Sequence, residues 1–356
     1  MENIKIKSLS YYIPEGRINN GAILDKVKST NKEKFNPDEM EILLYSCERK
    51  FDFLGLDTRS YSPDLIKDNI ITMAIKSAKK AIEKIDMDPN DIDCVIMAGI
   101  SNPYREPVAS CIVASHIGIQ QLDYFDINDT CNGFMKAVEI SSLYINEGKY
   151  KNILIVTSEN PSELEEGYDA YPYADTIDDF NNRIGSLIVG AGAAAMIVSS
   201  DGNSRKIIDY KEKKETKNWE ASILKVPHTM LPENKGKKEN SGLWADARLI
   251  SATIIQEMPD FIEKCLREWE LKVEDIDILI THQLGNNVTF ATLDKLKIDR
   301  SKAPVNTFRE LGNIANANIP INLAIADEQG HIKHGDNIIL LNSACGMTFS
   351  VTYIKW

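Results

Sequence analysis

The sequence predicts an α/β fold built from two duplicated halves. An amphipathic helix, an acidic turn and an apolar strand follow one another at residues 81–97 and again at 261–280. In each half a second apolar strand follows at a similar distance along the chain. The number of residues from Asp93 to Asn152 is almost the same as the number from Asp277 to Asn337. Two matches at nearly equal spacing indicate an internal repeat. Strands that alternate with helices indicate sheets covered on both faces.

Hydrophobic periodicity defines the individual elements. The helix before the first strand has one apolar face, formed by Ile66, Ile70, Ala74, Ala78, Ala81 and Ile85. Short, continuously apolar runs predict buried strands, at 94–97, 153–156, 278–280 and 338–341. A turn cluster at 199–203 places the boundary between the halves near residue 200. We therefore expect domains at residues 1–200 and 201–356.

Two kinds of polar stretch interrupt this pattern. Residues 159–182 are acidic and rich in Tyr and Asp, and residues 211–217 and 232–240 are rich in Lys. We expect surface loops in all of them, because long polar connections usually run over the surface. An alternative for the acidic stretch is that it closes over a substrate channel.

The composition predicts a soluble, cytoplasmic protein. The 356 residues are enough to bury a core in each half, and 43% hydrophobic with 26% charged residues is usual for globular proteins. We expect no signal peptide in the first residues and no membrane span, because no apolar run approaches ~18 residues. A net charge of -12 argues against a general affinity for nucleic acid or anionic membranes.

Cysteine usage is typical of a reducing compartment. The six cysteines form no CxxC pair, and several lie in apolar runs. We therefore expect small core residues, with no disulfide and no zinc site. The five histidines are scattered along the chain, so no metal site is expected from them.

One cysteine has a different setting. Cys131 lies where a strand that contains Tyr124 and Phe125, which we expect to be buried, turns into a helical run that includes Met135. A thiol at the N-terminal end of a helix has a lowered pKa, which raises its thiolate fraction. Gly133 allows close backbone approach at this turn. Cys131 is therefore either a nucleophile or one more buried cysteine, and this pattern alone does not separate the two.

The second half supplies partners for Cys131. His282 directly follows an apolar strand, at the strand end where ligands gather in α/β folds. Asn313 lies almost as far beyond Asp277 in the chain as Cys131 lies beyond Asp93. We expect the repeat to bring Cys131 and Asn313 face to face, each at the start of a helix. A His that joins a Cys and an Asn in this arrangement favours catalysis.

At these residues the chain resembles the ketoacyl synthase III family (beta-ketoacyl-acyl carrier protein synthase III) of the thiolase fold. The matching residues cover nearly the whole chain: Tyr12-Ile13-Pro14-Glu15, Asn19, Pro107, Asp126, Cys131-Asn132-Gly133-Phe134, His282-Gln283, Gly312-Asn313, Ile319-Pro320 and the closing segment from Asp336 to Gly346. The resemblance implies a thiolase fold, with two duplicated α/β halves in a layered α-β-α-β-α arrangement. It also implies a homodimer and a pantetheine tunnel that leads to the cysteine.

The resemblance implies a role for each site residue. Cys131 would attack an acyl thioester, and His282 and Asn313 would hydrogen-bond the thioester carbonyl of the second substrate. The backbone N–H groups of Cys131 and Gly346 would form the oxyanion hole. The substrates would be phosphopantetheine thioesters on acyl carrier protein or CoA, with no other cofactor. The expected reaction is Claisen-type carbon–carbon bond formation.

Departures from the family pattern point to a specialised enzyme. The Trp and Arg that grip the CoA nucleotide have no match in residues 49–59. We therefore expect a role in specialised metabolite or lipid biosynthesis, with at least one substrate delivered by a carrier protein. A docking patch for this acidic carrier is expected at Lys295, Lys297, Arg300 and Lys302. Glu106 occupies a pocket-lining position that is usually apolar, and is either a base or a solvent-facing acid.

Two alternatives stay open. The acyl group on Cys131 could pass to an alcohol or an amine, which needs His282 as a base but has less need of Asn313. The chain could instead be a non-catalytic partner that shapes the pocket of another synthase. The presence of Cys131, His282 and Asn313 together favours carbon–carbon bond formation over both.

Overall fold

The computed structural model describes residues 4–100, 102–104, 106–163, 174, 176–202, 205–225 and 242–356. The strands in these ranges are β1 (Lys5–Tyr12), β2 (Gly16–Asn19), β3 (Thr58–Tyr61), β4 (Cys94–Ala98), β5 (Asp123–Ile127), β6 (Asn152–Glu159), β7 (Gly192–Ser199), β8 (Lys206–Lys214), β9 (Ser222–Lys225), β10 (Gly242–Ala245), β11 (Ile278–Thr281), β12 (Asn337–Ala344) and β13 (Thr348–Lys355). The helices are α1 (Asn20–Asn31), α2 (Pro37–Leu54), α3 (Ile70–Glu83), α4 (Ala109–His116), α5 (Gly133–Asn146), α6 (Ile177–Arg183), α7 (Ala247–Glu268), α8 (Asn286–Leu296), α9 (Phe308–Leu311) and α10 (Asn318–Glu328). None of these helices is long and apolar enough to cross a membrane.

The central sheet consists of two related half-sheets. Its strand order is β11-β12-β13-β8-β1-β7-β6-β4-β5. The halves join between β8 and β1 at a single paired position, Lys5 with Lys206. On either side of this junction a parallel pair, β4/β6 or β11/β12, continues into an antiparallel pair, β6/β7 or β12/β13. The same pairing in both halves confirms the predicted duplication.

The helices complete a five-layer α-β-α-β-α arrangement. In β6, Ile153 and Ile155 point to a central core that contains α5 and α10, whereas Leu154 and Val156 point to an outer core with α3 and α4. Strand β12 divides in the same way between the central core and an outer core that contains α7 and α8. The continuously apolar strands therefore reflect burial on both faces.

The repeat extends to individual hydrogen bonds. Asp93 Oδ2 accepts a 2.8 Å hydrogen bond from the backbone N–H of Asn152, and Asp277 Oδ2 accepts one of the same length from Asn337. Each asparagine side chain then donates to a backbone carbonyl two residues before the aspartate, at 2.9 and 2.8 Å. The Asp–Asn pairs noticed in the sequence thus fix the start of β6 and of β12 against the preceding turn.

Three local expectations need correction or lie outside the described residues. Strand β5, which leads to Cys131, is a half-exposed edge strand and not a buried one. Residues 211–214 of the Lys-rich stretch are not a loop, because they extend β8 along β13. The stretch 232–240 and, within the acidic stretch 159–182, residues 164–173 and 175 lie outside the described residues. Of the rest, 177–182 lie in α6 and Glu159 is the buried last residue of β6.

Candidate active site

Cys131 lies in a tight turn between β5 and α5. The strand ends four residues before it, and the helix begins two residues after it, at Gly133. Thr130 has a φ of 48°, which is strained for a β-branched residue. The turn is held by a hydrogen bond from the Thr130 hydroxyl to the carbonyl of Cys345, at 3.3 Å, and by one from Asn316 Nδ2 to the Thr130 carbonyl, at 2.7 Å. Backbone strain of this kind persists only where such contacts fix it.

Asn316 of the second half holds the turn that contains Cys131 from the other side. Its Oδ1 accepts a hydrogen bond from the backbone N–H of Phe134, and its Nδ2 also donates to the buried carboxylate of Glu159, at 2.9 Å. A Cβ atom on Gly133 would lie 3.0 Å from this Oδ1, so the glycine permits the close approach. The two halves are thus joined directly beside Cys131.

A second thiol, Cys345, affects the pKa of Cys131. Interaction with Cys345, burial and the Glu159 carboxylate together raise the pKa of Cys131 well above its usual value. Interaction with Cys131 and with Ser222 lowers the pKa of Cys345 to about 7 against the effect of burial. The expectation of a lowered pKa for Cys131 is therefore wrong for this arrangement, because its neighbours outweigh the helix N-terminus.

His282 lies at the end of β11, where the sequence places it. Its backbone N–H donates to the carbonyl of Leu341 at 2.8 Å. The next residue of β12, Asn342, donates from its side chain to the Cys131 carbonyl at 3.2 Å. Two successive residues of β12, Leu341 and Asn342, therefore contact the backbone of His282 and of Cys131.

The His282 imidazole is buried and neutral. Its Nε2 has no hydrogen-bond partner within the described parts of the chain. Burial lowers its pKa to about 4, so the ring carries no charge near neutral pH. A buried polar nitrogen without a partner is costly, and a substrate oxygen would satisfy it.

Asn313 is placed by backbone hydrogen bonds that precede α10. Its N–H donates to the carbonyl of Ile188 at 2.8 Å, and its carbonyl accepts from Gly190 at 2.9 Å. Its Oδ1 accepts from the N–H of Ala315, so Nδ2 is the group left to donate to a substrate. The expectation that Asn313 opens a helix is wrong, because α10 begins five residues later. The asparagine is instead fixed by the loop before it.

Gly346 follows Cys345, whose backbone carbonyl accepts a hydrogen bond from the Thr130 hydroxyl. Its φ of 123° belongs to a backbone region that favours glycine, and a Cβ there would meet no atom within 4 Å. Conformation, not crowding, thus selects glycine at this position. Participation of the Cys131 and Gly346 N–H groups in an oxyanion hole stays a prediction.

The remaining predicted site residues lie at the surface. Glu106 is exposed and precedes α4, whose first N–H groups donate to the Asp126 carboxylate at 2.9 Å. In the basic segment, Arg300 donates to both oxygens of Asp294, at 2.9 and 3.3 Å, and lies 4.3 Å from the centre of the Phe290 ring. Lys302 donates to two backbone carbonyls. Arg300 and Lys302 are thus hydrogen-bonded to neighbouring groups, while Lys295 and Lys297 are exposed.

Sequence reasoning missed the residues that contact the Cys131 turn or affect the pKa of Cys131. Cys345 was expected to be a core cysteine, and Asn316, Glu159 and Asn342 were not singled out. For Cys345 a signal was available, because it precedes Gly346 within the segment that matched the family. For the other three the signal is absent from the sequence alone, since their contacts cross between the two halves.

Comparison with known proteins places this geometry in a family. The pattern described as 3-Oxoacyl-[acyl-carrier-protein (ACP)] synthase III matches residues 125–215, and its C-terminal counterpart matches residues 266–356. The beta-ketoacyl-[acyl-carrier-protein] synthase III of Clostridium tetani is 30% identical over 293 residues, which cover 81% of this chain and 85% of the relative. The chain belongs to the beta-ketoacyl-acyl carrier protein synthase III family. The resemblance read from the sequence is therefore confirmed.

Other members and neighbours of the synthase III family agree in length and fold. The synthase III of Clostridium novyi is 28% identical over 356 residues, the full length of both chains. The crystal structure of 3-oxoacyl-[acyl-carrier-protein] synthase III from Aquifex aeolicus superimposes with a TM-score of 0.79 at 22% identity, over 99% of this chain and 100% of that one. Xanthomonas campestris OleA gives a TM-score of 0.84 at 22% identity, over 99% and 98%. The predicted thiolase fold is confirmed.

Proposed function

We propose that this synthase III homologue takes an acyl group from a thioester onto Cys131 and joins it to a second thioester substrate by Claisen-type carbon–carbon bond formation. The observation that carries the proposal is the junction at Cys131. The turn that contains Cys131 accepts hydrogen bonds from the side chains of Asn342 and Asn316. Asn342 follows Leu341, whose carbonyl accepts from the His282 N–H, and Asn316 lies three residues after Asn313. Family membership supports thioester chemistry, because the relatives are named for acyl carrier protein substrates.

In the first step the Cys131 sulfur attacks the thioester carbonyl of the donor. The carbonyl oxygen gains negative charge, and the N–H groups of Cys131 and Gly346 stabilise it. The pantetheine thiol then leaves, and the acyl group stays on the sulfur. Loss of one oxyanion donor typically lowers the rate by ~10²–10³.

In the second step, His282 Nε2–H and Asn313 Nδ2–H donate to the thioester carbonyl of the second substrate. This oxygen becomes an enolate oxygen when the substrate loses CO₂ or a proton. A neutral imidazole suits this role, and burial keeps the pKa of His282 at about 4. The enolate carbon attacks the acyl carbonyl, and Cys131 is released as the leaving thiolate.

The proposal extends to partners and assembly. We expect acyl carrier protein or CoA thioesters as substrates, no resident cofactor, and a homodimer. The open edge of β5 supports a dimer, because Tyr124 is 46% exposed there and an unpaired strand can pair with its copy. We also propose the division into halves at residues 1–200 and 201–356, which places the boundary between β7 and β8.

Intact-protein mass after mixing with a panel of acyl thioesters tests the proposal. The wild type should gain one acyl mass, and Cys131→Ala should gain none. Cys111→Ala is the matched control, because Cys111 is a partly buried thiol on α4 and should not carry the acyl group. Equal acylation of the wild type and Cys131→Ala would contradict the mechanism.

The same assay separates the alternatives. A wild type that accepts no acyl group from any thioester would favour the non-catalytic partner subunit. An acylated protein that releases its acyl group to an alcohol or amine, but not to a carbon nucleophile, would favour ester or amide formation.

A further inference from the structure

We propose that Asn316 is a positioning residue, which aims the backbone N–H of Cys131 at the carbonyl oxygen of the acyl donor. The acyl-transfer step that it serves rests on the proposed function. The hydrogen bonds that hold the turn do not, because they form within the chain before any substrate binds.

Asn316 bridges both sides of Cys131 with one side chain. Its Nδ2 donates to the Thr130 carbonyl at 2.7 Å, and its Oδ1 accepts from the Phe134 N–H at 3.1 Å. The other Nδ2 hydrogen goes to Glu159 Oε1 at 2.9 Å, and the residue is only 2% exposed. Because both amide hydrogens already have acceptors, Asn316 acts through the turn and not directly on a substrate.

The Thr130 carbonyl and the Cys131 N–H belong to the same peptide unit. This unit is trans, and in a planar trans unit the carbonyl and the N–H point in opposite directions. Since Asn316 fixes the carbonyl, it also fixes the direction of the N–H. In the proposed function this N–H stabilises the oxyanion of acyl transfer, and such a donor is effective only when it is aimed at the oxygen.

The turn needs a contact that holds it in this orientation. Thr130 has a φ of 48°, and Ala315, directly before Asn316, has a φ of 42°. Residues other than glycine rarely adopt such values, which persist only where neighbouring contacts fix them. The hydrogen bond between Asn316 and Thr130 therefore joins two strained segments, one from each half of the chain.

Glu159 determines which way the Asn316 amide faces. Its Oε1 also accepts from the Ile100 N–H at 3.0 Å, and the carboxylate is buried at the end of β6. An ionised carboxylate only accepts hydrogen bonds, so it turns Nδ2 of Asn316 toward itself and leaves Oδ1 for Phe134. The amide orientation that the Thr130 bond requires is thus set from β6.

Two rates at Cys131 test the proposal in Asn316→Leu, which keeps the approximate size of the side chain and removes its hydrogen bonds. The first is acylation by rapid quench, with the thioester of the panel that loads the wild type fastest. The second is alkylation by iodoacetamide at the same pH, located by peptide mass spectrometry. Both reactions use the thiolate, but only acylation forms an oxyanion. The ratio of the two rates therefore reports the aim of the Cys131 N–H, independently of the thiolate fraction.

In Asn316→Leu the ratio of the maximal acylation rate to the alkylation rate should fall at least ~tenfold, because the oxyanion donor is no longer aimed. The thioester concentration that gives half the maximal rate should stay within about twofold, since only a transition-state contact is lost. The matched control is Asn152→Ala, which removes a buried asparagine bonded at both ends of its side chain, at the opposite end of β6. Its ratio should match the wild type.

A ratio within about threefold of the wild type in folded Asn316→Leu, or an equal loss in Asn152→Ala, would overturn the proposal. A parallel fall of acylation and alkylation leaves the ratio unchanged and counts against it in the same way. If the leucine variant fails to fold, judged by circular dichroism, Asn316→Ala gives the same comparison.

A wild type that accepts no acyl group would overturn the proposed function. Hydrogen exchange of the peptide that contains Phe134 needs no thioester and would still decide whether Asn316 holds the turn. Exchange should quicken at least ~tenfold in Asn316→Leu and stay unchanged in Asn152→Ala. Equal exchange in the wild type and Asn316→Leu would overturn the positioning role.

Discussion

At the residue scale, burial determines what His282 can do. Its ring is buried, its Nε2 has no hydrogen-bond partner within the described residues, and its pKa is held at about 4. A neutral imidazole can donate to a developing oxyanion but cannot offer a positive charge. Asn313 is similar, because its Oδ1 is used by Ala315 and its Nδ2 is the donor that it can present. Both residues therefore suit the second substrate, not the activation of Cys131.

We expect His282→Ala and Asn313→Ala to leave Cys131 acylation within a few fold of the wild type and to lower product formation by ~10²–10³ each. Loss of one donor leaves the enolate oxygen less stabilised, while the acylation step does not use it. Acylation is measured by intact mass, and product by chromatography after the second thioester is added. Loss of acylation in a folded Asn313→Ala protein would contradict this division of labour.

The sequence was sufficient to locate Cys131 but not to predict its pKa. A strand followed by a Gly-containing helix start identifies the turn, and local pattern carries that information. The direction of the pKa shift depends on Cys345 and Glu159, which are both remote from Cys131 along the chain. Contacts between such distant positions are created by folding, so they have no local signature.

At the element scale too, local sequence patterns predict some features, whereas contacts between distant parts of the chain determine others. Strands β6 and β12 were predictable, because a continuous apolar run can only be a strand or helix covered on both sides. The edge position of β5 was not, because a strand's place in a sheet depends on the crossover connections. The helix start at Asn313 was misplaced for a related reason. Its loop is held by Ile188 and Gly190 of the first half, and not by local capping.

The segment before α4 carries the remaining candidate acid, Glu106. It is exposed in the single chain and lies near the edge formed by β5, where we propose that a second copy pairs. If the partner covers this segment, Glu106 becomes a carboxylate at the pocket wall. Glu106→Gln keeps the shape and removes the charge, so we expect turnover to fall by ~10² and its pH dependence to change.

The matched control for Glu106 is Glu83→Gln, which alters an exposed glutamate at the end of α3. Turnover is measured from pH 5 to pH 9 with each variant. A profile of Glu106→Gln that coincides with that of Glu83→Gln would identify Glu106 as a solvent-facing acid without a role in the reaction.

At the scale of the whole molecule, duplication explains why the site lies where it does. The two half-sheets meet along β1 and β8, and α5 and α10 lie together in the central layer. The turn that contains Cys131 is hydrogen-bonded to Asn316, which lies three residues after Asn313. A direct approach of Cys131 and Asn313, which the repeat spacing predicts, stays a prediction.

Charge distribution over the whole molecule bears on how substrates arrive. The net charge is -12, which repels an acidic carrier protein at long range. Docking therefore needs a local cationic surface. Of the segment 295–302, Arg300 and Lys302 are held by neighbouring groups, so Lys295 and Lys297 are the exposed cations that a carrier would meet.

We expect one acyl group to be used more efficiently on a carrier protein than on CoA, with a preference that weakens as salt is added. Charge reversal at Lys295 and Lys297 should lower kcat/KM for the carrier substrate at least ~fivefold at low ionic strength and leave the CoA substrate unchanged, because electrostatic steering acts on association. The matched control reverses Lys79 and Lys80, exposed on α3 of the other half. Equal or better use of the CoA thioester, or equal loss in the control, would contradict carrier docking at this segment.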